Sequence, residues 1–221
     1  MKQQIISIVG AQLYQPIADL VAQTIGRPRQ PTDRVSSNHF EGGYAAATIL
    51  LLAVLIESFV QRDRYFLLQR RPNQRQRSQP DTKVPGYLRK VLHYRRAAHI
   101  EELFDVRNAI AHNHVWRIDF LTPSSGGRRH IKSELVDGTH QLRSPINPTA
   151  RVHRTRRLRL NLLPPRLDRT DVLRSLVATM HVLEFIARRG HNRVPLTSTN
   201  VRVQGKRIPF RELPKEVANA L

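Results

Sequence analysis

Glu101 to Phe120 reads EELFDVRNAIAHNHVWRIDF, and the hydrophobic period changes inside it. Up to Ile110 the apolar residues Leu103, Val106 and Ile110 fall three or four apart, the spacing that buries one face of an α-helix. After Asn113 they fall two apart: Trp116, Ile118 and Phe120 alternate with Arg117 and Asp119, as in a half-buried strand. A helix therefore ends near His112, where Asn113 suits a left-handed C-terminal position, and a β segment follows.

Working back towards the N-terminus, the same helical face continues through Leu88, Val91, Leu92 and Ala98. This predicts one helix from Pro85 or Gly86 to Ile110, proline being suited to a first turn. Before it, residues 69–85 (QRRPNQRQRSQPDTKVP) almost lack apolar side chains and read as an exposed basic loop. Glu41 to Leu68 reads as a long helix, apolar all round before Glu57 and amphipathic after it. Its longest apolar run, Tyr44 to Ile56, falls short of the roughly 20 residues a bilayer span needs, so a buried core helix is expected. Ile5, Val9, Leu13, Ile17, Val21 and Ile25 repeat every four residues and predict a first helix from Gln3 to Ile25, kinked near Pro16.

Working forward, His130 to Val136 is expected to pair with the Trp116 strand across Ser124–Gly127. Leu158, Leu160 and Leu162, alternating with Arg157, Arg159 and Asn161, predict a further strand. A fourth helix starts at Asp168 as N-cap, carries Asp171 in its first turn, and turns Leu173, Leu176, Val177, Met180, Leu183 and Ala187 inward before Gly190. His181, beside Val177, reads as a core histidine. The tail VRVQGKRI predicts a small hairpin and then a short terminal helix. The sum is a mainly α chain, a single domain over 1–221. It is a helical bundle with a small β insertion (115–166) between the third and fourth long helices and a short C-terminal hairpin and helix.

Charge is the outlying feature of the composition. Over 221 residues the formal net charge is +20, from 31 Arg and 6 Lys against 17 acids. Such a balance points to a polyanionic partner, and the arginine excess to phosphate, whose oxygens the guanidinium fork pairs two at a time. The excess is concentrated. Arg64 to His99 holds ten basic residues against Asp81 alone, and Gly138 to Leu167 holds seven arginines and no acid. Arg70, Arg71, Arg75 and Arg77 in the first block, and Arg151, Arg154, Arg156, Arg157 and Arg159 in the second, are the expected nucleic-acid contacts. Cysteine is absent, which excludes disulfides, thiolate metal sites and a cysteine nucleophile. No glycine-rich phosphate loop, HExxH, zinc spacing or paired acidic motif occurs, so neither metal nor cofactor is expected. A cytoplasmic protein with no membrane association is expected.

Arg107, Asn108 and His112 form the pattern R-N-x-x-x-H at the helix end. In a chain this rich in arginine and histidine, Arg with His after four to six intervening residues should arise about four times by chance, and it occurs four times. Requiring Asn directly after Arg lowers the chance expectation to roughly 0.06, and Arg107 alone satisfies it. The phrase VRNAIAHN, at the end of an amphipathic helix that follows a long second helix, resembles the signature of the HEPN superfamily (higher eukaryote and prokaryote nucleotide-binding domains). That resemblance implies a HEPN-like bundle and a metal-independent endoribonuclease, often a toxin or abortive-infection effector. It further implies a homodimer with a composite site across the two-fold axis, and a nucleotidyltransferase-type antitoxin, an acidic partner suiting the +20 surface. His112 would serve as general acid or base, Arg107 would stabilise the phosphorane, and Asn108 would orient the phosphate. His114 is a candidate second acid and Glu57 a candidate holder of Arg107. The rival readings are a non-catalytic RNA-binding or scaffold module, and a plain structural role in which Arg107 pairs with Glu57 or Asp105. On an ideal helix Arg107 and His112 stand about 140° apart, so they converge only if the helix ends at His112 or across a subunit interface.

Overall fold

The computed structural model describes residues 9–29, 40–70, 83–111, 115–121, 129–137, 154–189, 196 and 198–221; of 68, 70, 115–121 and 129–137 it describes the backbone alone. Helix α2, Gly42–Arg70, is the axis of the fold. Ile49, Leu52, Ile56 and Phe59 along it are fully buried, and α1 (Tyr14–Gly26), α4 (Ala97–Ala111) and α5 (Arg169–Arg188) pack around it. Ile17 and Val21 of α1, Ile100 and Leu103 of α4, and Val172, Leu176 and Leu183 of α5 complete this core. The 29-residue helix outruns its apolar stretch. By length and composition Gly42–Leu67 would suffice to cross a membrane, but half of it is buried among the other helices, buried Asp63 included.

The remaining elements are smaller. Helix α3 spans Val84–Lys90, strands β1 (Val115–Leu121) and β2 (Arg129–Asp137) pair antiparallel, and β3 (Asn200–Val203) pairs with β4 (Lys206–Pro209) before α6 (Leu213–Asn219). The fold is thus mainly α, and among the described residues it carries two small two-stranded sheets, one between α4 and α5 in sequence and one near the C-terminus. In the tail hairpin both turn residues are left-handed, Gln204 at φ 49° and Gly205 at φ 81°, as a two-residue turn matched to strand twist requires.

Four local expectations need correction. Pro16 makes no kink: Val9–Gln12 is a 3-10 turn, α1 starts at Tyr14, and proline occupies its first turn, where an N–H would have no intrahelical acceptor; residues 1–8 lie outside the described residues. The single helix expected from Pro85 to Ile110 is two helices. Between them His93 adopts a left-handed φ of 54°, while the N–H groups of Leu92 and Tyr94 reach back to the carbonyls of Tyr87 and Leu88. The apolar period passes unbroken through this turn because Leu92, Tyr94 and Ala97 are buried from it as well.

Leu158 to Leu162 is not a strand either. Residues 154–161 fold back on themselves: the Thr155 N–H donates to the Leu160 carbonyl (2.8 Å), the Leu160 N–H to Thr155 Oγ1 (3.0 Å), and Arg159 is left-handed at φ 56°. The leucines signalled burial, since Leu160, Leu162, Leu163 and Leu167 are all in the core, but an irregular loop delivers them. Of the 69–85 segment, 69–70 belong to α2 and 83–85 to the start of α3, with 71–82 outside the described residues. The Ser124–Gly127 turn and residues 138–153 of the insertion also lie outside them.

Helix α5 begins as expected, and its cap reaches beyond itself. Asp168 accepts the Asp171 N–H (2.9 Å) while the Asp171 carboxylate accepts the Asp168 N–H (3.2 Å), a reciprocal capping box. Asp171 also accepts from the N–H and Nδ2 of Asn161 (3.1 and 2.7 Å), so the cap fastens the end of the 154–161 loop. Burial first, then the neighbouring Asp168 carboxylate, push the Asp171 carboxyl up to about 7, against the donors of Asn161 and the Arg154 charge. An unfolded aspartate titrates near 3.9, so between about pH 4 and pH 7 the folded chain holds a proton that the unfolded chain has lost. This group's contribution to stability is therefore full below about pH 4 and declines as pH rises towards 7. Asp171→Asn is expected to flatten that decline, measured as urea midpoints across the interval. An equal or steeper decline in the variant would contradict it.

Candidate functional site

Helices α2 and α4 bring three of the motif-linked residues together. Arg107 on α4 donates from one terminal nitrogen to Asn108 Oδ1 (2.9 Å), and its other terminal nitrogen lies 3.4 Å from Glu57 Oε2 on α2. Its guanidinium carbon also sits 5.7 Å from the Phe104 ring centre. Glu57 is the partner expected for Arg107, and it is reached fifty positions away in sequence through helix packing. Arg107 is 28% exposed and Glu57 39%, and a pair this accessible contributes at most about 1 kcal/mol. Its consequence is orientation: the two nitrogens of one fork are each assigned a partner.

Below this fork the interface is more deeply buried. Arg64, two turns past Glu57 on α2, lies 4.5 Å from the Tyr87 ring centre, and burial lowers its pKa against the raising influence of Tyr87 and Glu57. The Tyr87 hydroxyl donates to Asp63 Oδ2 (3.1 Å); burial and that carboxylate push the phenol above its usual range. Glu57 therefore faces guanidiniums from two helices. Helix α4 is described as far as Ala111, one residue before the motif histidine. His112 and His114 themselves lie outside the described residues.

The second basic block is held in place by a residue the sequence reading did not single out. Glu102 of α4, 5% exposed, accepts the Arg157 N–H at both carboxylate oxygens (2.8 and 3.0 Å) and the Leu158 N–H (2.7 Å). A buried carboxylate on one helix thus pins a loop more than fifty residues away. Arg154 and Arg174 both donate to the Arg159 carbonyl (2.9 and 3.0 Å) and close the loop from the other side. Arg156, Arg157 and Arg159 are exposed upon it. Arg70 is described in backbone only, at the end of α2; Arg71, Arg75, Arg77 and Arg151 lie outside the described residues. Nothing marks Glu102 in the string EELFD, because its partners are backbone groups set by tertiary structure.

His181 is exposed rather than in the core. The buried stripe of α5 runs through Val172, Ser175, Leu176, Thr179, Val182, Leu183 and Ile186. Ser175 and Thr179 made that stripe look polar, yet the Thr179 hydroxyl is satisfied by the Ser175 carbonyl one turn back (2.7 Å). Val177 and His181 stand beside the stripe, and Arg96 approaches to 2.7 Å of His181 Nδ1. Burial, then Arg96, lower the His181 pKa below the usual histidine range; Glu184 opposes this and His99 adds to it. No protein-family model, curated protein or solved structure matches the chain.

Proposed function

We propose that this chain is a HEPN-like, metal-independent endoribonuclease whose site is built on Arg107, Asn108 and His112. One observation carries the reading: the Arg107 fork is held between Asn108 and Glu57, five residues before His112 in sequence. Arginine supplies charge stabilisation and histidine supplies proton transfer, and together they suffice for transesterification of RNA. His112 takes the proton of a ribose 2′-hydroxyl, the 2′-oxygen bonds to the adjacent phosphorus, and as the P–O5′ bond breaks the 5′-oxygen leaves with a proton supplied by a second acid, for which His114 is the candidate. Arg107 balances the negative charge that accumulates on the phosphorane, and Asn108 orients the phosphate. The products are a 2′,3′-cyclic phosphate and a 5′-hydroxyl.

The two Arg-rich blocks would hold the RNA backbone by charge, and a two-fold homodimer would complete the cleft. A role as a cytoplasmic toxin or abortive-infection effector, restrained by an acidic nucleotidyltransferase-type antitoxin, fits the +20 surface. The Glu57–Arg107 pair also favours a second reading, an RNA-binding module in which the arginine is structural. Incubation of the purified chain with RNA in excess EDTA separates the two. Cleavage that persists, yields cyclic-phosphate ends and spares a 2′-deoxy substrate is expected of the enzyme. Tight RNA binding without cleavage by a chain that light scattering shows to be dimeric would leave the binding module.

A further inference from the structure

A cavity of about 500 Å³ opens between the start of α4, the middle of α5 and the 154–161 loop, apart from Arg107. Its rim carries Arg96, Arg157, Arg159 and Arg174 together with His99 and His181, and among the described residues no acid lines it. Tyr94, Leu158, Leu173, Val177 and Ala178 make an apolar wall. Arg96 and His99 stand at the start of helix α4, whose first turn carries no acid, so the helix dipole adds to the positive field there. Arg96 rests against a histidine instead of a carboxylate. His99 Nδ1 is buried without a hydrogen-bond partner among the described residues.

A solvated charged surface would not produce this arrangement. Four guanidiniums around one concavity repel one another, and the fold spends the buried Glu102 on loop backbone rather than on neutralising them. Clustered cations favour an anion among them, and Val177, 38% exposed although apolar, favours an apolar body laid against it. A ligand that answers both needs is a flat, weakly polar ring system bearing phosphate, and the volume falls within the usual range for small-molecule sites. We propose that this cavity binds a nucleoside phosphate, its base against Leu158, Leu173 and Val177 and its phosphate among Arg96, Arg157 and Arg174.

The nucleotide would be either free or one unit of an RNA strand. His99 precedes Arg107 by eight residues, about 12 Å along α4, so a strand reaching the Arg107 fork passes close by. The site stands on its own residues whether or not Arg107 and His112 cut RNA. Calorimetric titration with AMP, GMP, CMP and UMP in buffer of near-physiological salt tests it, with adenosine and inorganic phosphate as partial ligands. At least one nucleotide is expected to bind tenfold or more tightly than either partial ligand. Val177→Asp, at an exposed position, and Arg96→Ala are each expected to weaken it at least tenfold with circular dichroism unchanged, whereas Arg188→Ala at the far end of α5 leaves it intact. Competition by a short RNA assigns the nucleotide to a strand, and no competition assigns it to the free pool. Failure of all four nucleotides to bind at millimolar concentration, binding no tighter than inorganic phosphate, or binding indifferent to Val177→Asp overturns the proposal.

Discussion

Replacing His112 by alanine is expected to lower RNA cleavage by about 10²–10⁴-fold, the range associated with loss of a positioned general acid or base. Arg107→Ala is expected to lower it by about 10²–10³-fold, as removal of one preorganised donor to a developing oxyanion does. RNA affinity should change little in either variant, because one residue is removed from a surface of charge +20. Arg107→Lys should be nearly as damaging as Arg107→Ala. One terminal nitrogen of Arg107 serves Asn108 and the other faces Glu57, and a single ammonium cannot span both. Glu57→Gln keeps an acceptor opposite the fork and should cost less than about tenfold, since the pair it replaces is partly exposed and weak. The measurement is initial cleavage rate in EDTA for all four variants, with folding checked separately. A His112→Ala rate within a few-fold of the parent would sink the catalytic assignment, and a fully active Arg107→Lys would sink the fork.

Much of the framework that positions these residues was legible because it is local. The Asp168/Asp171 cap, the Gln204-Gly205 turn and the change of period after Asn113 each depend on neighbours within a few positions. Segment type was less secure where burial and regular structure part company. Leucines at 158, 160 and 162 alternate as in a strand, yet the left-handed Arg159 and the Thr155 hydroxyl bend the chain back. The break at His93 was hidden because apolar residues on both sides of it point to the same core. In the site, the Arg107–Asn108 contact is adjacent in sequence and Glu57 was the first acid past the apolar part of α2. The cavity at the start of α4 was not legible. It depends on Glu102 carrying a distant loop to α4, and on the serine and threonine of α5 taking core positions that valine and histidine had been expected to hold.

Glu41→Ala is expected to destabilise the fold by about 3–5 kcal/mol, the usual consequence of stripping one partner from a buried ion pair. Glu41 is 1% exposed and Arg169 7%, and Arg169 Nε donates to Glu41 Oε2 at 2.5 Å. Arg169 is the first residue of α5, where the helix dipole disfavours a cation, so its position needs a compensating anion. Its other nitrogens donate to the carbonyls of Arg27 (2.8 Å), just past α1, and Ala220 (3.1 Å), just past α6. One guanidinium therefore ties the ends of α1 and α6 to the starts of α2 and α5. Removing Glu41 leaves that cation buried with two neutral acceptors, whereas Glu41→Gln retains an acceptor and should lose less. Against a typical total of about 5–15 kcal/mol, the alanine variant should show a much lower urea midpoint with little change in slope. Glu41 precedes Glu57 by sixteen residues, about 24 Å along α2, so RNA cleavage per folded molecule should be unchanged in the glutamine variant. A loss below about 1 kcal/mol in Glu41→Ala would mean that desolvation offsets the tie, and that packing around α2 alone sets the helix ends.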